Sequence, residues 1–346
     1  MSAASATSPA QITVPERRSA GLWRDALNRL LRNKASVVGL AIILGLIVLA
    51  VMAPAIAPKG YDQQVLTDNH AIPRWLTYVF PNMKPRGTPG GYVKIADQYP
   101  LGADDHGRDL LTRLIYGAQI SLSIAFIGPI ISLLVGISYG VISGAIGGRG
   151  DNIMMRIVDI LYAFPGLLFI ILLMTFFRNP PPEVHSAWDQ FRLTMSQVDA
   201  RFGGMFFIFV GIGLTAWETM ARLSRGQILS VKEKEYVEAA RTIGAKPGRI
   251  MFRHMLPNII GPLVVAESLA IPGYIATEAF LSFIGIGVNR PTPSWGSMIS
   301  DGGAGIRSYP HEAIFPALAL AVTMFAFNFL GDGLRDALDP RLKGTQ

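Results

Sequence analysis

Apolar positions along the chain fall in long runs rather than in short alternating patterns. Six runs stand out: Ala35–Ala57, Gly117–Ala145, Ile157–Phe177, Met205–Ala221, Ile259–Ile284 and Ala313–Leu330. About 20 apolar residues rising 1.5 Å each cross a 30 Å hydrocarbon core, so each run predicts a membrane-spanning helix. A large soluble protein with buried helices is the competing reading, and six such runs in one chain weigh against it. APAIA, at the end of the first run, resembles a signal-peptide end. Two features oppose that: the tail before the run is longer than a usual n-region, and Pro58 directly follows Ala57.

The segments between the runs have their own patterns. Residues 1–20 are rich in Ala, Ser, Thr and Pro and predict a disordered tail. In 21–34, GLWRDALNRLLRNK, Leu22, Trp23, Leu27, Leu30 and Leu31 fall on roughly one helical face, with Arg24, Arg29 and Arg32 among them or opposite. This predicts an amphipathic helix, either lying in the membrane interface or packed on a partner's flank. The long external loop 58–116 contains FPNMKPRGTPGGYVK, which favours turns over long helices. A second external insertion covers 178–204, and a tail follows from 331 to 346. Gly136, Gly140 and Gly144 recur every four residues and form a small-xxx-small face for close helix contact. Gly128-Pro129 and Pro272-Gly273 predict kinks inside the second and fifth spans.

Composition agrees with a membrane protein. Half of the residues are apolar, 16% are charged and the mean hydropathy is +0.37, against about a quarter charged in soluble domains. Cysteine is absent, which excludes disulfides and thiolate metal sites. The net charge of +7 sits in patches flanking the apolar runs, which points to orientation in a membrane rather than to nucleic acid. Nineteen of the 31 Lys and Arg residues fall on the side of the N-terminus, and seven of the other twelve lie in the long loop, where the positive-inside rule is weak. The expected fold is therefore an all-α membrane protein of six transmembrane helices with cytoplasmic N- and C-termini.

One inner segment is unlike its surroundings. EYVEAARTIGAKPGRIMFRHMLPN, Glu235 to Asn258, is charged yet lies between two very apolar regions. Tyr236, Ala239, Ala240 and Ile243 follow i, i+3, i+4, i+7 spacing, Gly244 suits a helix C-terminus and Pro247 prevents continuation. The result is a short helix whose alanines permit close approach of another surface. In ADDHGRD, Asp104, Asp105, His106 and Asp109 are donors without a metal-specific spacing. The expected structure there is a turn with Asp104, Arg108 and Asp109 hydrogen-bonded at the outer mouth, and no metal is expected. Glu218, Glu267 and Glu278 fall in or near spans, where ionisable residues are functional candidates by default. Each can instead pair with an arginine such as Arg222, and no substrate-binding residue is assigned. Asp332, Arg335 and Asp336 are expected to cap the last helix. No GxxxxGK[ST] phosphate loop is present, and GAKPGR matches it only superficially. The chain is not expected to be an enzyme or to hold a catalytic residue.

Glu238-Ala239-Ala240, three residues, Gly244, then Leu256-Pro257 resembles the EAA loop of ABC importer permeases. The blocks RLLRNKASVVGLAIIL, YPLGADDHGRDLLTRLIYGAQISL, DNIMMRIVDILYAFP, TEAFLSFIGIGVNRPTPSWGSMISDG and LGDGLRDALDPRL are similar, in the same order, to those of the dipeptide/oligopeptide/nickel group. The match covers about Leu22 to Leu342. It departs at Ala103, where the group has Thr, and at His106, where it has an apolar residue; His254, where the usual EAA pattern has Ile, resembles the HxLPN variant of the peptide group. The resemblance implies the type I ABC importer permease fold and a coupling role for Tyr236, Glu238, Ala239, Ala240, Gly244, Leu256 and Pro257. It also implies an outer-mouth motif of Gly102, Asp104, Gly107, Arg108 and Asp109. The partners implied are a second permease similar to but distinct from this one, two ATP-binding subunits that hold ATP and Mg, an extracytoplasmic substrate-binding protein and membrane lipid. The resemblance implies no cofactor in this chain itself. Peptides are the implied cargo, with a nickel chelate or oligosaccharide as alternatives. The implied location is a bacterial or archaeal cell membrane. A stand-alone secondary transporter and a membrane enzyme built on the Asp/His block are the rivals from other classes.

Overall fold

The computed structural model describes residues 22–338, without the side chains of Leu22, Trp23 and Asp25. The expectation of a disordered tail over 1–20, and the place of Leu22 and Trp23 on a helix face, lie outside the described residues. Eleven helices of more than one turn carry the described fold. They are α1 (Leu22–Arg32), α2 (Lys34–Val51), α3 (Leu110–Ile146), α4 (Gly148–Tyr162), α5 (Gly166–Arg178) and α6 (Ala187–Arg201), then α7 (Phe206–Lys232), α8 (Glu235–Thr242), α9 (Leu256–Phe283), α10 (Trp295–Ala304) and α11 (His311–Leu338). No strand forms among the described residues, only isolated bridges.

Five helical stretches are long and apolar enough to cross a membrane: Lys34–Val51, Leu110–Ile146, Phe206–Lys232, Pro247–Phe283 and His311–Leu338. The run Ile157–Phe177, expected as one spanning helix, is instead a pair. α4 and α5 are bent by 75° at a short break, and counting the pair as one span gives six. Two features of the sequence account for the bend. Pro165 disfavours helical geometry at Phe164 before it, and α4 carries Arg149, Asp151, Arg156 and Asp159, which cannot sit in hydrocarbon. The 13 residues of α5 rise only about 20 Å, short of a full crossing. α3 and α9 continue through Pro129 and Pro272 as unbroken helices, and α3 begins at Leu110, ahead of the apolar run, because Asp109 caps it.

The glycine stripe of α3 forms one of the close seams of the bundle. A Cβ at Gly136, Gly140 or Gly144 would lie 2.6 Å from Met220 Cβ, 2.0 Å from Ser224 Oγ and 2.9 Å from Ile228 Cγ2. All three targets are on α7, so the small face exists to let α7 approach. Ser224 Oγ donates to the Gly136 carbonyl across that seam at 3.0 Å. α2 lies equally close to α11: a Cβ at Gly39 would meet the Ala326 carbonyl at 2.6 Å, and Ser36 Oγ donates to the Phe329 carbonyl at 3.1 Å.

α1 does not present one intact apolar face. Ala26 and Leu30 are buried against Ala337 and its neighbours on α11, while Leu27 and Leu31 are about half exposed. Asp332, Arg335 and Asp336 are exposed residues inside α11, which continues to Leu338. The helix reaches the edge of the described residues at Leu338, so the capping expected of these three lies outside what is described.

Candidate functional site

The two ends of the bundle carry the polar residues singled out in the sequence. At one end α8 joins α7 to α9. Its N-terminal turn follows Lys234 in extended geometry, and Gly244 closes it at φ 79°. The Gly244 N–H donates to the Arg241 carbonyl at 2.9 Å and the Ala245 N–H to the Ala240 carbonyl at 3.0 Å, a Schellman closure that favours glycine at this left-handed position. Pro247 then opens a single turn, Pro247–Ile250, and a π-helical turn, Met251–Met255, leads to Leu256 and Pro257 at the start of α9.

α8 has two distinct faces. Val237 and Ala240 are buried with Ile228, Ile250, Met255 and Ile259. Tyr236, Ala239 and Ile243 point away from the chain's own core, and Ile243 is 84% exposed. Glu238 is also exposed. Of the four residues expected on one face, only Ala240 packs inward; the other three form an apolar surface with no partner among the described residues.

At the opposite end the chain from Gly102 to Asp109 folds back on itself. Asp104 Oδ1 accepts from the His106 N–H at 3.0 Å and the Arg108 N–H at 2.9 Å. Its Oδ2 accepts from Arg108 Nε at 2.7 Å and lies 3.3 Å from Arg113 Nε. Asp109 Oδ2 accepts from the Thr112 N–H at 2.8 Å and Thr112 Oγ1 at 2.6 Å, capping α3. Asp104, Arg108, Asp109 and Arg113 are all at most 5% exposed. Gly107, at φ 69°, passes under the long loop: a Cβ there would lie 1.9 Å from the Val65 carbonyl oxygen. Gly102 is pressed against His311 in the same way. Asp104, Asp105 and His106 could bring three ligand atoms within 4.8 Å. Two guanidinium groups already engage Asp104, and His106 Nδ1 lies 2.6 Å from Asp105 Oδ1, so the donor set is used internally.

The long loop beside this turn has its own anchor. Asp68 accepts from Lys94 at 2.5 Å, Gln98 at 2.9 Å and Tyr99 at 2.9 Å. The hydrogen bond from Lys94 holds the Asp68 carboxyl below its usual range, and burial with the Asp68 charge pushes the Tyr99 phenol up to about 12. His70 stacks on Tyr309 at 3.9 Å, and its Nδ1 lies 2.6 Å from Glu312 Oε1, which raises the His70 value.

Sequence reasoning missed two hubs. Arg178 binds Asp199 at 2.7 Å and also donates to the carbonyls of Gly204, Ile286 and Gly287. It thereby ties the insertion helix α6 to the end of α9. Arg225 clamps Asp151 through two nitrogens at 2.5 and 2.6 Å, and Ser143 adds a third bond, joining α4, α7 and α3. Only the opposite charges in apolar surroundings hinted at either. The intramembrane carboxylates do not pair with Arg222, which binds Asp159 at 2.9 Å. Glu267 takes hydroxyl donors from Ser132 and Tyr274, and Glu278 from Ser121 and Ser282.

Residues 136–344 match the family model described as the binding-protein-dependent transport system inner membrane component. The chain belongs to that family. Residues 21–77 match the N-terminal TM domain of oligopeptide transport permease C. α8 falls inside the first match, whereas the Asp104 turn falls between the two. Similar curated proteins span nearly the whole chain. The oligopeptide transport system permease protein OppC of Bacillus subtilis (strain 168) is 39% identical over 327 residues, covering 94% of this chain and 92% of that one. OppC of Haemophilus influenzae is 40% identical over 320 residues, with 92% and 89% covered. The dipeptide transport system permease protein DppC of Bacillus subtilis is 39% identical over 329 residues, with 95% and 88% covered. An inward-facing structure of the MetNI methionine ABC transporter shares the fold at a TM-score of 0.51 and 17% identity, covering 66% of this chain and 98% of that chain. The chain is thus an ABC importer permease, a multi-pass membrane component with the type I permease fold.

Proposed function

We propose that this chain forms half of the translocation pathway of an ATP-driven peptide importer in a bacterial or archaeal cell membrane, with both termini in the cytoplasm. α8 is its coupling helix. The observation that carries this reading is the divided surface of α8: Val237 and Ala240 bind it to its own bundle, while Tyr236, Ala239, Ile243 and Glu238 remain outward. A helix held by α7 on one side and α9 on the other passes a push from a soluble subunit directly into two spans. Two ATP-binding subunits supply that push and hold ATP and Mg; Glu238 meets a cation in one of them. A second permease, similar to but distinct from this chain, completes the pathway. A substrate-binding protein delivers cargo to the loop end. Rigid-body alternating access then moves the two permeases together. Peptides are favoured as cargo by the names of the relatives at 37–40% identity.

Glu238→Lys in the assembled importer tests the reading. Glu238 is exposed and makes no ion pair among the described residues, so the six spans should insert and the complex should be recovered in normal amount. ATP-driven uptake should be lost, or the ATPase released from the membrane. Wild-type uptake by this variant would refute the coupling assignment.

A further inference from the structure

Two cavities flank α7 within the spans and share Thr215 in their walls. One, of about 720 Å³, opens at the break between α4 and α5 and includes Glu218. The other, of about 380 Å³, lies between α5, α7 and α9. Its polar lining consists of Thr215 and Thr219, one turn apart on α7, and Glu267, Tyr274 and Thr277 on α9. The remaining walls are alkyl.

Glu267 is 3% exposed. Its Oε1 accepts from the Tyr274 hydroxyl at 2.7 Å and its Oε2 from the Ser132 hydroxyl at 3.1 Å. A hydroxyl on each oxygen suits an acceptor-only carboxylate and leaves lone pairs free toward the cavity. The other buried carboxylates differ. Asp104, Asp151 and Asp199 each hold a guanidinium. Glu278 is enclosed by serines and lines neither cavity. Glu218 lines the other cavity, and no hydroxyl orients it among the described residues. Among the described residues, no Lys, Arg or His lies within ion-pair distance of Glu267. A buried carboxylate without a cation is costly to maintain, and its cost falls when a cation arrives.

We propose that Glu267 receives the ammonium group of the cargo as it crosses the membrane. This rests on the peptide reading above. A peptide's terminal amine is largely protonated at neutral pH, and it is the one cation common to peptides of any sequence. The threonine hydroxyls suit the amide groups that follow it, and the alkyl walls impose no side-chain preference. Glu267 is thus a specificity-determining residue within the pathway, separate from recognition by the binding protein.

The experiment uses the complete importer in proteoliposomes with its binding protein, and labelled tri-alanine as probe. Glu267→Gln is nearly isosteric and keeps an oxygen for the hydroxyl donors. It should lower uptake at limiting tri-alanine by about tenfold, the scale of one lost charge-assisted hydrogen bond. ATPase stimulation by loaded binding protein should stay within about twofold, and Glu267→Asp should recover more uptake than Gln. If Gln does not assemble, Thr219→Lys places a cation across the same cavity from an exposed position and should block uptake instead. Wild-type uptake by Glu267→Gln, or by Thr219→Lys where Gln does not assemble, overturns the inference. Failure of the unmutated importer to take up tri-alanine is a different outcome: it overturns the peptide reading itself.

Discussion

The two ends of the bundle are held by different physics. α8 is attached through two small apolar side chains, Val237 and Ala240, and burying a valine contributes about 2 kcal/mol. The Asp104 turn is locked by two guanidinium groups, two backbone N–H donors and a capped helix, nearly all out of water. A lightly attached helix with an unfilled outer face can follow a partner. A turn whose Asp104 carboxylate is held by two buried guanidinium groups cannot move without exposing an unpaired ion. Under the proposed function, the difference separates a surface that transmits motion from one that keeps the mouth in register.

The largest expected effect breaks the rigid end. Arg108→Ala leaves the Asp104 carboxylate short of its closest partner in a buried site, and removing one member of a buried pair costs about 3–5 kcal/mol. The purified permease should melt well below the wild type and lose protease resistance between residues 58 and 109. An unchanged melting temperature would show that Arg113 alone suffices. Gly244→Asp should be smaller in stability and larger in function. Forcing a side chain to φ 79° costs about 1–2 kcal/mol, confined to the end of α8. Global melting should shift little while ATP-driven uptake fails, as measured in proteoliposomes.

The smallest effect concerns pH at the rigid end. Asp68 has its value lowered by Lys94, so its contribution is present above the usual carboxylate range and is lost as pH falls through the depressed value. His70 has its value raised by Glu312, so its contribution is present below the ordinary histidine value and is lost as pH rises through the raised one. Proteolysis of the long loop should be slowest between these limits. The rate of cleavage at α8 should not follow that profile, since no ion pair anchors it among the described residues. Parallel pH profiles for both segments would erase the comparison.

Much of this was legible in the sequence. The runs of apolar residues located the spans, and Gly136, Gly140 and Gly144 announced a close seam, although not that α7 fills it. Gly244 and Pro247 set the end of α8 because left-handed backbone and ring closure are local properties. The bend at Ala163–Pro165 was harder to see, because hydropathy averages over the charged α4 and the short α5. One residue of the α8 stripe differs: spacing groups Ala240 with Tyr236, Ala239 and Ile243, but Ala240 packs inward beside Val237 while the other three stay outward. Arg178 with Asp199, and Arg225 with Asp151, join residues 21 and 74 positions apart, a separation no local pattern encodes.

The central claim is that the exposed face of α8 meets an ATP-binding subunit. Because the chain contains no cysteine, Ile243→Cys and Leu66→Cys each create a single thiol, one on α8 and one in the long loop at the other end. In membranes holding the full importer, a cysteine-to-lysine crosslinker should join Ile243→Cys to the ATP-binding subunit, with a yield that changes on adding ATP. Leu66→Cys should give no such product. An ATP-binding subunit captured from Leu66→Cys and not from Ile243→Cys would contradict the account.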